Sequence, residues 1–273
     1  HWIWGARMTA IIETVVQDLI NDSASMGDRG GFGLCENSAM VLTDDIFIAS
    51  AADPSQREKH IEQALAAGAA AVIYDQNGTP PIERGVPMLG VADLAVRKSA
   101  LALKFFASPS ATVECIGITG TNGKTSIGFH IANFSDSLGV PCGYCGTLGW
   151  GRVTQLAEAA LTTPNAVEMQ RRIASLRENK VTRLALEVSS HALAQGRIDD
   201  VQMDVAVFSN LTRDHLDFHK TMDDYGQAKA RLFTHWPLKL AVINSDDAFG
   251  RSLAVTNRAQ EVISYGKGGD VSW

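Results

Sequence analysis

The sequence predicts an α/β protein in which two domains are each built on a largely parallel sheet. Short apolar runs alternate with amphipathic segments along most of the chain, which is the pattern of strand–helix–strand units. A Ser-Pro-Ser break at 108–110 separates a first unit, residues 1–108, from a second, residues 109–273. With 273 residues, the chain is long enough for two such domains, each with its own core.

Composition and charge exclude several classes of protein. The net charge of −6 and the hydrophobic content of 45% are typical of a globular protein and argue against a nucleic-acid partner. Because the sequence contains no run of 18 apolar residues, we expect no membrane span. The four scattered cysteines predict a reducing, cytoplasmic environment, and the opening residues 1–7 lack a signal-peptide pattern, so Met8 is the predicted start.

The first unit is predicted to be a small α/β domain. Gly68 is expected to end its middle helix, and Asp93 to cap its last one. The predicted elements are a helix at 9–20, a loop at 21–35, strands at 45–49, 70–74 and 86–91, and helices at 55–67 and 93–106.

The second unit opens with a short apolar run, a glycine-rich turn and a helical pattern, in that order. The turn is Thr119-Gly120-Thr121-Asn122-Gly123-Lys124-Thr125. Glycines let the backbone approach a phosphate chain, and amides at the helix start point at it. Lys124 would neutralise the outer phosphates, and Thr125 would offer its hydroxyl to Mg²⁺. The strict phosphate-loop spacing needs a glycine where Ile118 stands, so a chance turn is the alternative; the flanking strand and helix favour nucleotide binding.

The rest of the second unit predicts a mainly parallel sheet, whose ligands would sit at the carboxyl ends of the strands. Glu187, Asn210 and Asn244 fall at such ends. Four glycines within 143–151 predict loops, and Thr163 is expected to cap a helix that has proline at its first position. The further predicted strands are 183–188, 204–208, 240–243 and 261–264, and the further predicted helices include 221–235 and 247–256.

A nucleotide triphosphate carries more negative charge than Lys124 alone can balance, so we expect Mg²⁺ with hard oxygen ligands and a tolerated imidazole. The candidates are Thr125, Glu187 and the segment 210–217, which contains His215. On the residues alone, a strand-end glutamate can also be solvated, and a loop histidine is as readily a surface or core hydrogen-bonding residue.

Two further patterns have competing interpretations. Cys142-Gly143-Tyr144-Cys145 matches C-x-x-C, but it follows a helix and has no second Cys/His set nearby, so packed thiols are favoured over a redox or zinc site. Ser189-Ser190-His191 places a nucleophile beside a base, but adjacent residues rarely face each other. We therefore expect these hydroxyls, with Arg197, to hold an anionic substrate.

Five motifs stand in a fixed order along the second unit: Thr119 to Thr125, Thr162-Thr163-Pro164, Glu187-Val188-Ser189-Ser190-His191, Asn210 to Asp217, and Tyr225-Gly226-Gln227-Ala228-Lys229. In this order they resemble the Mur ligases, strongly over 113–250 and weakly over 36–75. The resemblance implies a small uridine-binding-type α/β domain, followed by a P-loop ATPase domain with a mostly parallel sheet. It also implies that the chain stops inside that second domain, before an amino-acid-binding domain.

The activity implied by the resemblance is ATP-dependent amide ligation in peptidoglycan precursor synthesis, carried out by a monomer in the bacterial cytoplasm. The γ-phosphate would pass to the D-glutamyl carboxylate of UDP-N-acetylmuramoyl-L-alanyl-D-glutamate. A diamino acid, either diaminopimelate or lysine, would then attack the acyl phosphate.

Site residues follow from the resemblance by motif position. Thr119, Gly120, Thr121, Asn122, Gly123, Lys124 and Thr125 correspond to the ATP cradle. Thr125, Glu187, His215 and Lys229 correspond to the Mg²⁺ site, and Lys229 resembles the family's carbamylated lysine. Lys124, His215 and Lys229 are therefore the implied catalytic residues. The implied substrate contacts are Ser38, Thr162, Thr163, Ser189, Gln195 and Arg197, and 244–247 resembles a segment near the adenine.

The chain also departs from the family pattern. Asn37-Ser38-Ala39 stands where Asp-Ser-Arg is usual, residues 51–57 replace an expected glycine-containing loop, and Leu161 replaces an asparagine. These departures bear on the uridine and sugar contacts. Two alternatives stay open: a relative of folylpolyglutamate synthase, which shares the ATP domain, and a nucleotide-binding module without catalysis.

Overall fold

A computed structural model of the protein describes residues 32–267. The chain divides into two compact units, His1–Ser108 and Pro109–Trp273, and each described unit has its own sheet. The helix predicted at 9–20 lies outside the described residues. Within residues 32–267, no helix is long and apolar enough to cross a membrane.

The first unit contains a four-stranded parallel sheet in the order β1-β2-β3-β4. Phe47 of β2, Val72 of β3 and Ile61 of the first helix pack in one core. Asp53 caps that helix by accepting a bond from Gln56 N at 2.8 Å. The elements are β1 Gly33–Cys35, β2 Asp45–Ala49, α1 Pro54–Ala66, β3 Ala71–Asp75, β4 Met88–Val91 and α2 Leu94–Phe105.

Two expectations for this unit were wrong. The segment predicted as loop contains strand β1, whose Leu34 and Cys35 are buried beside β2. Asp93 precedes α2 but makes no cap bond; its φ is 55°, and its carboxylate accepts a bond from Asn77 Nδ2 at 2.8 Å. The Asp93 side chain therefore bonds to a neighbouring loop instead of capping the helix, as the sequence had predicted.

The second unit contains an eight-stranded sheet in the order β12-β11-β10-β5-β9-β6-β7-β8. The six strands from β12 to β6 are parallel, and β7 and β8 extend the sheet as antiparallel strands. The strands are β5 Glu114–Thr119, β6 Cys142–Gly146, β7 Gly149–Arg152, β8 Gln155–Ala157, β9 Arg183–Glu187, β10 Val205–Phe208, β11 Leu240–Asn244 and β12 Glu261–Tyr265.

Helices of the second unit cover the sheet from both faces. Ile173, Leu232 and Leu253 join one core with the sheet, while Ala132 packs on the opposite face. The helices are α3 Lys124–Ser137, α4 Ala166–Glu178, α5 Ser190–Ala194, α6 Leu216–His219, α7 Met222–Thr234 and α8 Ala248–Thr256. The predicted α/β class with a mainly parallel sheet is confirmed.

The glycine-rich stretch after α3 is the largest error of the sequence-based assignment. Residues 142–157 form three strands rather than loops, and every residue of β6 is buried. Gly143 lies so close to its neighbours that a Cβ there would stand 3.0 Å from a methyl of Leu176. These glycines provide room for neighbouring side chains, which a sequence window cannot reveal.

The two cysteines of the C-x-x-C pattern lie on this buried strand. Cys142 belongs to the core on one face of the sheet and Cys145 to the core on the other, and both are free thiols. Burial raises the pKa of Cys142 to about 11. Because the thiols face opposite sides of a strand, a paired redox or zinc role is excluded.

The helix expected to begin at Pro164, with Thr163 as its cap, begins instead at Ala166. Asn165 caps it by accepting a bond from Glu168 N at 2.9 Å. Thr163 is engaged elsewhere, because its hydroxyl donates to the Glu187 carbonyl at 2.8 Å and accepts from Ser189 N at 3.1 Å. The side chain thus ties this segment to the carboxyl end of β9.

Candidate active site

A cavity of about 440 Å³ lies at the carboxyl ends of β5 and β9 in the second unit. It brings together most of the residues that the motifs singled out, from five separate segments of chain. The lining residues are Thr121, Asn122, Gly123, Lys124, Thr125, Thr147, Leu161, Thr162, Thr163, Glu187, Ser189, Ser190, His191, Arg197, His215, Tyr225 and Lys229.

Hydrogen bonds from the segment that follows β10 fix the turn 119–125. Gly120 has a φ of 143°, and a Cβ there would collide with Ser209 Oγ at 1.9 Å. Thr121 N donates to Asn210 O at 2.8 Å, and Ser209 Oγ donates to Asn122 O at 2.6 Å. This loop at the start of α3, together with Lys124, therefore forms a fixed part of the cavity lining.

Two lysines converge on this turn. Lys124 Nζ donates to the carbonyls of Gly120 and Thr121, both at 2.8 Å, and Lys229 Nζ donates to Gly120 O at 2.9 Å. Lys229 is 1% exposed and lies 4.4 Å from the ring centre of Tyr225. Burial first, and then the charge of Lys124, lower the pKa of Lys229 to about 7. The turn thus contacts two lysine amines, and the amine of Lys229 is the one that readily loses its proton.

Glu187 is a fully buried carboxylate at the end of β9, and four donors surround it. Oε1 accepts from Tyr144 Oη and from Thr147 N, the latter at 3.0 Å. Oε2 accepts from Thr125 Oγ1 at 3.0 Å and from Thr147 Oγ1 at 3.1 Å. Tyr144 and Thr147 were not singled out from sequence, because they lie 40 or more residues from Glu187, on strand β6 and in the turn after it.

Three histidine side chains cluster together, and two of them, His191 and His215, line the cavity. The ring of His215 lies 4.9 Å from that of His191 and 5.9 Å from that of Tyr225. His219 Nε2 contacts Ser190 Oγ at 2.9 Å. Burial first, and then neighbouring positive groups, lower the pKa values of His191 and His219. Both imidazoles are therefore neutral near pH 7. A neutral imidazole can form hydrogen bonds to a ligand or to nearby residues.

Arg197 lies among hydroxyls at the mouth of the cavity. Its Nη1 donates to Thr163 O at 2.9 Å, and its Nε donates to Gln195 Oε1 at 2.8 Å. Gln195 contacts Arg197 instead of lining the cavity. Ser189 Oγ caps α5 by accepting from Ala192 N at 3.2 Å, so this serine is a helix cap instead of an activated nucleophile.

Besides Gln195, the candidates Thr119, Gly120 and the segment 244–247 do not line this cavity of the second unit. The side chain of Thr119 is fully buried in β5, below the turn. Ser38 belongs to the first unit, where it is 7% exposed and donates to Gln63 Oε1 at 2.9 Å. In the segment 244–247, Asp247 caps α8 by accepting from Phe249 N at 2.8 Å, so its side chain braces the fold.

The donor set suits Mg²⁺ only in the presence of a phosphate ligand. Among residues 32–267, no group of three or more His, Cys, Asp or Glu side chains could hold a metal by itself. Thr125, however, donates its proton to Glu187, so its oxygen lone pairs face away from the carboxylate. A Glu187 oxygen that exchanges one of its protein donors for the ion, together with the Thr125 oxygen and phosphate oxygens, would match the preferences of Mg²⁺.

Comparison with known proteins identifies the family. A family model described as the Mur ligase middle domain matches residues 118–273. The chain belongs to the Mur ligase family. It is 44% identical over 231 residues to the UDP-N-acetylmuramoyl-L-alanyl-D-glutamate--2,6-diaminopimelate ligase of Ectopseudomonas mendocina, covering 84% of this chain and 47% of the relative. The enzyme of the same name from Pseudomonas aeruginosa is 44% identical over 233 residues, with the same coverage of 84% and 47%.

A solved structure supports the same assignment to the Mur ligases. It is described as UDP-N-acetylmuramoyl-L-alanyl-D-glutamate--2,6-diaminopimelate ligase and matches with a TM-score of 0.67 at 34% identity. The match covers 91% of this chain and 51% of that structure. The chain therefore spans about half the length of the relatives it matches.

Proposed function

We propose that the protein binds ATP and Mg²⁺ in the strand-end cavity and acts as an ATP-dependent ligase of peptidoglycan precursor synthesis. Its acceptor would be UDP-N-acetylmuramoyl-L-alanyl-D-glutamate, to which it adds a diamino acid. The observation that carries this proposal is the convergence of Lys124, Thr125, Glu187, His215 and Lys229 on one cavity in a member of a ligase family.

The residues of the cavity divide naturally between the two substrates. Backbone amides of the turn and the Lys124 ammonium bind the β- and γ-phosphates of ATP and stabilise the charge that develops during transfer. Arg197, with Thr163 and Ser189 beside it, binds and orients the anionic muramoyl peptide. Mg²⁺, when bound, supplies further neutralisation of phosphate charge. Transfer gives an acyl phosphate, and the amine then displaces phosphate to form the amide.

Lys229 is the proposed carbamylated lysine. An amine with a pKa of about 7 is partly unprotonated near neutrality, so its lone pair can add to CO₂, and the proton released goes to solvent. The product is an anion with two oxygens beside the phosphate turn. We predict that Lys229→Ala lowers turnover by about 100-fold and that added carboxylate salts such as acetate partly restore it. Wild-type turnover in this variant would reject the role.

The finer parts of this function are part of the same proposal. We propose a monomer that works in the bacterial cytoplasm. The two relatives above are named for 2,6-diaminopimelate, which favours that amino acid over lysine. Their names also favour a muramoyl ligase over a folylpolyglutamate synthase, while a binding module without catalysis is the main competitor.

Phosphate release tests the proposal. The chain is assayed alone and joined to the part of the Pseudomonas aeruginosa enzyme that it does not span, with Lys124→Ala as the inactive control. We expect the joined protein to release phosphate from ATP only with both UDP-muramoyl dipeptide and a diamino acid. ATP binding without any release in the joined protein would support the binding module, and release with a folate substrate would support the alternative ligase.

A further inference from the structure

The hydroxyl groups around Glu187 have a fixed hydrogen-bond direction. Each oxygen of the Glu187 carboxylate accepts two bonds, and the four donors are three hydroxyls and one backbone amide. Every hydroxyl bonded to Glu187 must therefore give its single proton to that carboxylate.

Thr147 extends this constraint to the substrate side of the cavity. Its Oγ1 lies 3.1 Å from Glu187 Oε2 and 3.1 Å from Thr162 Oγ1. Because the single proton of Thr147 goes to Glu187, the bond with Thr162 has to be donated by Thr162. The three groups form a directed chain from Thr162 through Thr147 to Glu187.

The direction of this chain determines what Thr162 offers to a ligand. Its only proton is used on Thr147, so the oxygen presents lone pairs alone to the cavity that it lines. Such an oxygen attracts an N–H or O–H donor and repels the oxygens of a carboxylate or a phosphate.

The position of Thr147 argues against a purely structural role. It lies in the exposed turn between β6 and β7, where the next side chain, Leu148, is 53% exposed. Yet this one residue contacts both oxygens of a fully buried carboxylate, through its amide and through its hydroxyl. The same hydroxyl also contacts Thr162 Oγ1 in the cavity, a contact that holding Glu187 does not require.

We propose that Thr147 is a positioning residue that fixes Thr162 as a hydrogen-bond acceptor for an N–H or O–H donor of the muramoyl peptide. The inference rests on the proposed function and deepens it. Thr147 thereby links the substrate contact at Thr162 to the carboxylate that faces Thr125 and the phosphate turn. The charged groups of the peptide are left to Arg197.

Binding measurements on the 273-residue chain test this inference without turnover. Thr147→Val removes the hydroxyl but keeps the backbone N–H and the shape, Thr147→Ser restores a hydroxyl, and Thr154→Val changes an exposed threonine in the neighbouring turn. Calorimetry with UDP-muramoyl dipeptide gives one readout. Electron paramagnetic resonance of Mn²⁺ with a non-hydrolysable ATP analogue gives a second, and thermal unfolding checks the fold.

We expect Thr147→Val to weaken dipeptide binding about fivefold and Mn²⁺ binding by about threefold, the size expected for one lost hydrogen bond. Thr147→Ser and Thr154→Val should stay within about twofold of the parent by the same scale. Thr162→Val should weaken dipeptide binding by a similar factor. The double variant should bind no more weakly than Thr162→Val alone, because both changes break one chain.

The nature of the donor is resolved by a substrate analogue. In a depsipeptide, an ester oxygen replaces the N–H between L-alanine and D-glutamate. If that N–H is the donor, Thr162→Val weakens binding of the amide but not of the ester; if a sugar hydroxyl is the donor, the variant weakens both. Weaker binding of the amide alone supports an acceptor role for Thr162 directly.

Two results would overturn the inference. One is parent-like dipeptide binding by Thr147→Val, and the other is independent, additive losses in the double variant. If the parent chain binds the ATP analogue but no dipeptide, the proposed function fails together with the inference. If the parent binds dipeptide and Thr147→Val binds it equally well, only the inference fails.

Discussion

Two glycine-rich stretches of the second unit, residues 119–125 and 142–151, look alike in sequence and differ completely in structure. The first is the turn between β5 and α3, and the second forms β6 and most of β7. In the first, Gly120 and Gly123 have φ values of 143° and 88°, which other residues rarely adopt. Glycine is needed there for the backbone conformation.

In the second stretch, Gly149 and Gly151 of β7 also have positive φ values, of 128° and 135°, but the two glycines of β6 do not. A Cβ at Gly146 would stand 2.2 Å from Glu187 Oε1. The absence of a side chain at Gly146 therefore leaves the space that the carboxylate occupies. The difference teaches that glycine content alone does not distinguish a turn from a strand packed against a bulky partner. Both stretches nevertheless contribute to the same cavity, the first with the turn proposed to bind phosphate and the second by holding Glu187.

The largest expected effect comes from the first stretch. Lys124→Ala removes the cation that faces the phosphates, and we expect turnover to fall about 1000-fold, on the order of 4 kcal/mol of transition-state stabilisation. Initial-rate measurements on the joined protein described above test this, with unfolding curves to show that the fold persists. Undiminished turnover would remove Lys124 from the mechanism.

Gly146→Ala tests the second stretch. The added methyl would meet the buried Glu187 carboxylate at about 2.2 Å, and we expect the free energy of unfolding to fall by about 3 kcal/mol. Gly78→Ala is the matched control, because its nearest neighbour would lie at 3.5 Å and its change should stay below about 1 kcal/mol. Equal denaturation midpoints for Gly146→Ala and the parent would show that β6 does not approach Glu187.

Lys229→Met separates burial from catalysis. The pKa of Lys229 falls from 10.5 to about 7, so between these pH values the unfolded chain binds more protons than the folded one. Stability of the parent should therefore rise with pH across this window, and the cost of burying the ammonium is fully present only below it. We expect Lys229→Met to raise the free energy of unfolding by about 2 kcal/mol at pH 6.5 and by much less at pH 10.

Denaturant unfolding in CO₂-depleted buffers measures this difference, because a carbamate would otherwise contribute. A stability gain that does not change with pH would contradict the lowered pKa of Lys229.

The smallest expected effect concerns the C-x-x-C pattern. Because Cys142 and Cys145 face opposite sides of β6, an oxidant should form no disulfide between them and should shift the midpoint of thermal unfolding by less than about 1 °C. Peptide mass spectrometry after diamide treatment checks this. A Cys142–Cys145 disulfide would mean that the second stretch is a loop after all.

Much of the fold follows from local sequence. Strand β2 has the predicted bounds, and α7 begins after its Thr221 cap within one residue of the prediction, because alternation and capping act over a few residues. The errors concern contacts over long separations. β6 was missed because its glycines accommodate Leu176 and Glu187, and Thr163 was misassigned because its hydroxyl serves the end of β9.

The candidate site was likewise predictable only where its residues stand in local sequence motifs. The turn 119–125, Glu187, His215 and Lys229 stand in recognisable motifs, and all of these residues except Thr119 and Gly120 line the cavity. Tyr144 and Thr147 carry no motif of their own, since their importance depends on which carboxylate lies beside them. Ligand-binding residues are therefore easier to predict from a sequence than the residues that hold those ligand-binding side chains in place.

The central claim is that triphosphate and divalent cation bind together between the turn and Glu187. A crystal structure of the chain with Mn²⁺ and a non-hydrolysable ATP analogue, with an anomalous difference map at the manganese edge, tests it most directly. The account predicts a peak within coordination distance of Thr125 Oγ1 and one Glu187 oxygen, with the β- and γ-phosphates against Lys124. Nucleotide bound with its phosphates and Mn²⁺ away from that turn would contradict it.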